Sequence, residues 1–320
     1  MTDTPDCPYT PRPISPLRQR MIEDMTARKL GPASQRSHMQ ACRRFAVYLQ
    51  RSPETATAND IRMFQLHLIE SGASICNRNR IMTGVKFLMK VTLRRHDLVA
   101  EVYHLKEPQK LPLVLAADEI RRVLAMAPSL KARVMLSLAY GCGLRANEVV
   151  RLRVGDIDSA QMIIRIVQAK GLKDRNVMLP PDVLALLREW WPQRPTRHDV
   201  GLRREHLWLF PGYGDDRPIT TRQFGRLFQE ALAAAGIRKA VTLHSMRHSF
   251  ATHMLEHGTD IRLIQALLGH HKLDSTARYT RVATGMIAKV ESPLDRLGTP
   301  RKQGKKPGPK KPRKNEPLTE

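Results

Sequence analysis

The sequence predicts a mainly α-helical chain with one small β-hairpin, an α+β protein of two domains, and three observations lead to this fold class. Amphipathic helical periodicity runs from Pro16 to about residue 97 and returns after Pro180. Residues 161–180 change to two short Ile/Val/Met/Leu runs around a Lys/Gly/Asp turn, which is the pattern of a hairpin. Residues 105–115 contain two prolines and show no periodicity, as is typical of an interdomain linker.

The first domain, residues 16–104, follows a Pro/Thr-rich leader at 1–15 that we expect to be flexible. Its four predicted helices are LRQRMIEDMTARKLG, SQRSHMQACRRFAVYLQ, TANDIRMFQLHLIESG and ASICNRNRIMTGVKFLMKVTLRR. The first and third should end at glycines. On the second predicted helix, five apolar residues lie on one face: Met39, Cys42, Phe45, Ala46 and Leu49. The fourth has a strongly basic polar face, so this domain can place cations on phosphates.

The second domain, residues 116–291, has helical patterns on both sides of the hairpin. Asp118 and Glu119 suit a helix start, because carboxylates are favourable near helix N-termini. A largely buried helix, SLKARVMLSLAYGCG, should follow and end at its glycines. After Pro180 the helical segments are ITTRQFGRLFQEALAAAG, HSMRHSFATHMLEHG, TDIRLIQALLGH and DSTARYTRV.

The net charge of +24 is the dominant feature of the composition. Residues 292–320 form a Pro/Gly-rich basic tail that we expect to be disordered. This tail holds nine Lys/Arg and three Asp/Glu, so +18 of the charge belongs to the rest of the chain. A field of this sign concentrates polyanions, and nucleic acid is the commonest such partner. The tail can raise non-specific affinity through counterion release, or follow an A·T-rich minor groove as extended chain.

The four cysteines indicate a reducing compartment. They stand at positions 7, 42, 76 and 142 with no C-x-x-C pair and no metal-ligand spacing, which is typical of reduced thiols in an intracellular chain. No apolar run approaches the roughly 20 residues of a membrane span. The N-terminus lacks a charged-then-apolar signal pattern. We therefore expect a cytoplasmic protein with no membrane partner.

Cations surround one of the chain's six tyrosines. Tyr279 lies at the end of ALLGHHKLDSTARYTRV, a run with two histidines, one lysine and two further arginines. A tyrosine that served only in packing would more usually have apolar neighbours. A phenol has a pKa of roughly 10, and nearby positive charge favours its phenolate. These surroundings suit a tyrosine that meets a phosphate.

Other cations stand in recognisable local contexts. His244 and Arg247, spaced i and i+3, would project from one face of a helix toward the same anion. Arg145 lies between a glycine turn and a predicted helix start, where its side chain and backbone N–H groups can meet a phosphate. Lys170 lies in the hairpin turn. These segments hold no cluster of carboxylates.

That combination limits the chemistry. The transition state of phosphoryl transfer carries extra negative charge on its non-bridging oxygens, and either a carboxylate-held Mg²⁺ or a clamp of arginines must neutralise it. Because the candidates here are cations, attack on a DNA phosphate would need no metal and no other cofactor. The nucleophile would then come from the protein, and the phenol of Tyr279 is the candidate.

The residue set R…K…H-x-x-R…L-G-H…Y, in this order, resembles the tyrosine recombinases, also called the phage integrase family. The resemblance covers about residues 113–290, and the first domain is similar, more weakly, to the SAM-like core-binding domain of that family. The matching segments are GLRANEV, AKGLKDRNVMLP, HSMRHSFATHML, LLGH and DSTARYTRV. They carry over the catalytic residues Arg145, Lys170, His244, Arg247, His270 and Tyr279.

The resemblance implies a function and a role for each residue. Tyr279 would attack the scissile phosphate and leave a 3′-phosphotyrosyl link with a free 5′-hydroxyl. Arg145 and Arg247 would hold the non-bridging oxygens, assisted by His270. Lys170 would protonate the leaving 5′-oxygen, with His244 as a proton-transfer partner. The resemblance further implies double-stranded DNA with short inverted half-sites as partner, and a homotetramer on two duplexes that is a monomer or weak dimer when free.

Several alternatives stay open at the level of sequence. Lys173 is a rival to Lys170, and His271 follows His270 directly. Pairs with H-x₃-H spacing, such as His244 and His248, would also allow zinc, but no cysteine ligand or H-E-x-x-H glutamate accompanies them, so no metal site is predicted. A type IB topoisomerase would need a large clamp domain. The main rival function is a DNA-binding accessory protein that has lost the reaction. Integration, transposition and multimer resolution would share one mechanism.

Overall fold

The computed structural model describes residues 14–108, 111–167, 174–196, 199, 201–213, 217–270, 276 and 279. The chain divides into two compact units, residues 1–110 and 111–320. None of the described helices is long and apolar enough to cross a membrane.

The first unit is helical. Its helices are α1 (Pro16–Ala27), α2 (Pro32–Leu49), α3 (Ala58–Glu70), α4 (Ile75–Phe87) and α5 (His96–Val99), with a π-helical turn at Leu88–Thr92. The apolar face predicted for α2 is confirmed, since Cys42 and Phe45 are buried while Met39 and Leu49 pack against the same core. That core also takes Phe64 from α3 and Val85 from α4.

Two expectations about this unit were wrong in detail. The first helix does not run to Gly31: it ends at Ala27, Lys29 takes a left-handed conformation at φ 53°, and Gly31 caps the start of α2. Pro32 follows at the first helical position, where its missing N–H costs nothing. The long fourth helix is α4 continued by the π turn, and its next segment begins again at His96.

The second unit is also mainly helical. Its helices are α6 (Ala117–Ala125), α7 (Leu130–Gly141), α8 (Ala146–Val150), α9 (Pro181–Trp190), α10 (Thr221–Ala234), α11 (Leu243–Glu256) and α12 (Ile261–Leu268). Its main core joins side chains from α6 to α11 around the buried faces of α7 and α10. A second apolar cluster lies on α11 and α12 and contains Phe250, Ala251, Leu255, Ile264, Leu268 and Tyr279.

The predicted hairpin is part of a three-stranded antiparallel sheet. Strands β2 (Ile163–Ile166) and β3 (Arg175–Met178) pair with Ile164 opposite Val177, and both of these side chains are buried. Strand β1 (Ile157–Asp158) adds to the other edge of β2. The sequence did not predict β1, because two residues are too few to show the alternating pattern of a strand. The mainly α fold with a small sheet is confirmed.

Candidate active site

Arg247 lies at the centre of a cluster of polar side chains. Helix α11 begins after Thr242, whose backbone N–H donates to Ser245 Oγ at 3.2 Å, and one helical turn places Arg247 fully inside the protein. Its Nη1 donates to the carbonyl of Gly143 at 2.6 Å, and its Nη2 donates to the carbonyl of Leu268. Arg247 therefore joins the turn before α8 to the end of α12.

The charge of Arg247 survives its burial. Burial lowers the pKa of this guanidinium to about 9, and the charges of Arg145 and Arg175 act in the same direction, whereas Glu148 and Tyr279 oppose them. At neutral pH the side chain is still protonated. The site therefore holds a permanent cation that is shielded from water.

Gly143 makes the approach to Arg247 possible. The residue has φ +62°, and a Cβ built on it would lie 2.5 Å from Cδ1 of Phe250. Any side chain here would combine a left-handed backbone with a steric clash. The sequence motif GCGLR therefore requires glycine at 143 so that its carbonyl can accept from Arg247.

Arg145 caps α8 and forms an ion pair within its first turn. Its Nη1 lies 2.8 Å from Oε1 of Glu148, and its backbone N–H donates to Oε2 of the same carboxylate at 2.8 Å. The Glu148 carboxylate occupies this N–H, so the backbone N–H of Arg145 itself is not available to a phosphate. The guanidinium stays partly exposed, so it is the part of Arg145 that a ligand can reach.

Glu148 is the residue that the sequence analysis missed at this site. Arg175, at the start of β3, binds the carboxylate through both Nη atoms at 2.9 and 2.8 Å, and its Nε donates to the carbonyl of Leu267. Burial alone would raise the pKa of Glu148, but hydrogen bonds and charge from Arg175, with hydrogen bonds from Arg145, lower it to about 2. The carboxylate is thus an anionic anchor for two arginines, and the expectation of an all-cation site was wrong.

His270 follows a glycine that ends α12. Gly269 takes φ +60°, and a Cβ there would lie 3.0 Å from Cδ of Arg175. Nε2 of His270 lies 3.3 Å from Nη2 of Arg247, and Nδ1 lies 3.0 Å from Oγ1 of Thr276. Burial, followed by the charges of Arg247 and Arg145, lowers the pKa of His270 to about 3. The ring is neutral at physiological pH.

Tyr279 is buried among the described side chains of the second unit. Its ring is 2% exposed and packs in the apolar cluster on α11 and α12. Its Oη lies 3.1 Å from Nδ1 of His248, and its ring stacks against that of His270 with centroids 6.2 Å apart. Lys272, Arg278 and Arg281, the cations adjacent in sequence, lie outside the described residues.

Two histidines on α11 complete the cluster. The ring of His248 meets that of His244 edge-on, with centroids 4.5 Å apart. Desolvation, followed by the charges of Arg247 and Arg145, lowers the pKa of His244. His248 entered the sequence analysis only as half of a zinc pair. Across the described residues, no group of three His, Cys, Asp or Glu side chains is arranged to hold a metal ion.

Five of the six residues carried over by motif therefore lie in one connected cluster: Arg145, His244, Arg247, His270 and Tyr279. Lys170, its rival Lys173 and His271 lie outside the described residues. A cleft of about 780 Å³ opens beside Arg145. Its lining includes Arg151, Arg153, Arg165 and Trp208.

Two family models match this chain. The model described as "Phage integrase family" matches residues 114–286, and the model described as "Phage integrase, N-terminal SAM-like domain" matches residues 17–96. The first match alone spans more than half of the chain. The chain belongs to the phage integrase family.

Other members of the phage integrase family are similar over most of this chain. The putative integrase/recombinase y4qK of Sinorhizobium fredii is 39% identical over 289 residues, which cover 90% of this chain and 91% of that protein. Tyrosine recombinase XerD of Caulobacter vibrioides is 35% identical over 71% of this chain and 75% of its own length. This family member is therefore a tyrosine-type site-specific recombinase, and a catalytically silent accessory protein is not favoured.

Solved structures of the family share the fold. The Tn1549 transposon integrase in complex with circular intermediate DNA matches with a TM-score of 0.64 and 18% identity, over 86% of this chain and 99% of that one. XerH site-specific recombinase bound to difH substrate matches with a TM-score of 0.63 and 21% identity, over 87% and 85% of the two chains. At this identity the likeness concerns the fold alone.

Proposed function

We propose that this phage integrase family member cleaves and rejoins DNA by attack of Tyr279 Oη on a scissile phosphate, leaving a 3′-phosphotyrosyl link and a free 5′-hydroxyl. The observation that carries the proposal is the contact chain from Tyr279 through His270 to Arg247. A phenol beside a desolvated guanidinium suits attack on a phosphodiester. Because the link conserves the energy of the ester, rejoining consumes no ATP.

Two arginines supply the positive charge for the transition state. Arg145 offers a partly exposed guanidinium at the rim of the cleft, and Arg247 offers a buried charge that water does not screen. Groups held in place before reaction stabilise developing charge without reorganisation, at several kcal/mol each. Glu148 keeps Arg145 in position while leaving its outer face open.

Three further residues complete the proposed chemistry. Neutral His270 hydrogen-bonds Arg247 and assists the phosphate clamp. Lys170, which lies between β2 and β3 in the sequence, protonates the leaving 5′-oxygen, and His244 serves proton transfer. The assignments of Lys170 and His270 rest on the motifs AKG and LLGH.

Both units take part in DNA binding in this proposal. Residues 16–104 form the SAM-like core-binding domain, residues 105–115 the linker and residues 116–291 the catalytic domain. A groove of about 260 Å³ on the first unit is lined by Gln40, Arg44, Asn77 and Arg80, side chains that can bond base edges in a major groove. The arginines in the cleft beside Arg145 suit backbone phosphates.

The related transposon integrase was solved in complex with circular intermediate DNA and XerH with its difH substrate, which supports double-stranded DNA as the partner here. The proposed target consists of short inverted half-sites. The proposed active assembly is a homotetramer on two duplexes, formed from a monomer or weak dimer in the cytoplasm. A tetramer places four Tyr279 residues at the four strands that two duplexes contribute.

A covalent-adduct assay tests the nucleophile. The purified protein is incubated in EDTA with fragmented DNA from its native genomic neighbourhood, quenched with SDS and examined for protein-linked DNA. Adducts should form with the wild type and be absent with Tyr279→Phe, whose apolar ring fits the same cluster. Tyr140→Phe is the matched control, because Tyr140 Oη also bonds a histidine of α11, at 3.0 Å from His253 Nδ1. Adducts that persist in Tyr279→Phe would overturn the assignment, and sequencing the trapped fragments would identify the site.

A further inference from the structure

Among the described side chains, the phenol of Tyr279 has a basic partner that none of the roles above uses. Oη lies 3.1 Å from Nδ1 of His248, within the range for proton transfer between a nucleophile and a base. A phenol with a pKa near 10 is only about 0.1% ionised at pH 7, so attack is faster when a positioned base takes the proton. Tyr279 and His248 have the relative geometry of a nucleophile and its base.

His270 cannot serve as that base in this arrangement. Arginine has no acceptor, so the contact between Arg247 Nη2 and His270 Nε2 makes Nε2 the acceptor. A neutral ring then carries its proton on Nδ1, which donates to Thr276 Oγ1 at 3.0 Å. Both nitrogens of His270 are engaged, and its ring meets Tyr279 by stacking.

The helix places His248 against the nucleophile and His244 behind it. The two histidines are four residues apart on α11, and their rings meet edge-on. His248 is partly buried, while Arg247, the residue before it, holds the helix through the carbonyls of Gly143 and Leu268. The helix that carries His248 is therefore held in place beside Oη.

We propose that His248 is a catalytic residue of this recombinase, acting as the base for Tyr279. As Oη bonds to phosphorus and the P–O5′ bond breaks, the phenol proton moves from Oη to Nδ1 of His248. The leaving 5′-oxygen takes a different proton, from the general acid. On rejoining, the 5′-hydroxyl attacks the phosphotyrosine and returns its proton to the general acid, and the departing phenolate recovers its own proton from Nδ1. This inference rests on the proposed role of Tyr279 as nucleophile.

The first test separates proton transfer from packing. The His248→Asn side chain places an amide oxygen near the position of Nδ1, so it keeps a hydrogen bond to Oη but cannot take the proton. Single-turnover adduct formation on the trapped DNA fragments should slow by about 10²- to 10⁴-fold. His253→Asn is the matched control, since His253 lies on the same helix with its Nδ1 3.0 Å from Tyr140 Oη, and it should change the rate less than about threefold. A His248→Asn rate close to that of wild type would overturn the proposal.

The second test asks whether the defect lies in deprotonation. A fluorinated tyrosine introduced at position 279 has a more acidic phenol that depends less on a base. In His248→Asn and in His248→Ala, the fluorinated residue should raise the rate of adduct formation at least tenfold above that of the same variant with ordinary tyrosine. It should not raise the rate of Arg145→Ala, which lacks charge stabilisation. Equal losses with and without the fluorinated residue would show a structural role only and overturn the proposal. Failure of the nucleophile assignment is distinguishable, because wild type and Tyr279→Phe would then form adducts alike.

Discussion

Arg247 and Gly143 are joined by a hydrogen bond in which Nη1 donates to the glycine carbonyl, with nitrogen and oxygen 2.6 Å apart. A residue proposed to hold the scissile phosphate is thus also part of the framework of the second unit. Arg145, its partner in the phosphate clamp, has its guanidinium at the rim of a cleft. The two arginines should therefore respond differently to mutation.

Arg247→Ala should cost both activity and stability. It leaves the buried carbonyls of Gly143 and Leu268 without this donor and Glu148 with less positive charge, at about 2–4 kcal/mol of unfolding free energy. Arg145→Ala should cost about 1 kcal/mol or less, because its ion pair is partly exposed. Urea unfolding measures the difference, and the adduct assay should show both variants slowed by orders of magnitude. Equal unfolding free energies for the two variants would contradict the framework role of Arg247.

Gly143→Ala should disturb the same connection from its other end. The added methyl would meet the ring of Phe250 and require a left-handed backbone, so we expect a loss of about 2–3 kcal/mol together with slower cleavage. Gly236→Ala is the control: Gly236 has a similar φ of +69° but open space around its Cβ position, so it carries the backbone cost of about 1 kcal/mol alone. Thermal unfolding of the two variants tests this, and similar losses would argue against the clash.

Glu148→Gln should be far more harmful than removal of a surface carboxylate. The change leaves Arg175, whose side chain is 9% exposed, without a counter-charge, and breaking a buried pair of this kind costs about 3–5 kcal/mol. Glu119→Gln, which weakens an ion pair with the more exposed Lys239, should cost less than about 1 kcal/mol. Denaturant unfolding of both variants measures the contrast. A loss below about 1 kcal/mol for Glu148→Gln would mean that Arg175 and Arg145 do not depend on this anchor.

As the pH falls, protonation linked to His270 should destabilise the second unit at a higher pH than protonation of Glu148 does. The pKa of His270 falls from 6.5 to about 3 on folding. Below pH 6.5 the unfolded chain therefore binds a proton at His270 that the native ring does not bind, and the free energy of unfolding declines as the pH falls. Glu148, with a pKa of about 2 against 4.5, adds its own loss only below about pH 4.5. Unfolding free energies at pH 7 and 5 should differ less in His270→Gln than in wild type. An unchanged difference would show that His270 titrates normally.

Removal of residues 300–320 should weaken DNA binding at low salt. The segment carries eight Lys/Arg and two Glu, and affinity depends less steeply on salt when fewer cations neutralise DNA phosphates. Binding to a random duplex, measured at several salt concentrations, should show a shallower slope for the truncated chain. Unchanged affinity and slope would show that the tail contributes to DNA binding neither by counterion release nor by following the minor groove.

The sequence predicted those parts of the site that depend on local order along the chain. One helical turn fixes His244 and Arg247 on a common face, as their i, i+3 spacing predicted. Glu148 carried a local signal as well, because it stands three residues after Arg145. A glutamate at this spacing commonly accepts from the backbone N–H of the residue that precedes the helix. This signal was not used, because the sequence was searched for cations that could bind a phosphate.

Contacts between distant segments had no such signal. Arg175 and Glu148 are 27 positions apart, and only the pairing of β3 brings the arginine to α8. The contact of Tyr279 with His248 likewise needs Tyr279 to pack against α11, 31 positions away along the chain. The apolar side chains of α11 and α12 that pack with Tyr279 also come from segments whose contact the sequence does not show.

The enclosure of Tyr279 has a consequence for the free protein. Because Tyr279 is 2% exposed, a scissile phosphate can reach Oη only when side chains that cover it move aside, while the contact with His248 Nδ1 is kept. Uncovering Oη would expose part of the apolar cluster at a cost of about 2 kcal/mol, so we expect only a few per cent of unbound molecules to be open to a phosphate. Binding to the correct half-site can supply that energy. We therefore expect tyrosine burial to limit cleavage away from the proposed target site.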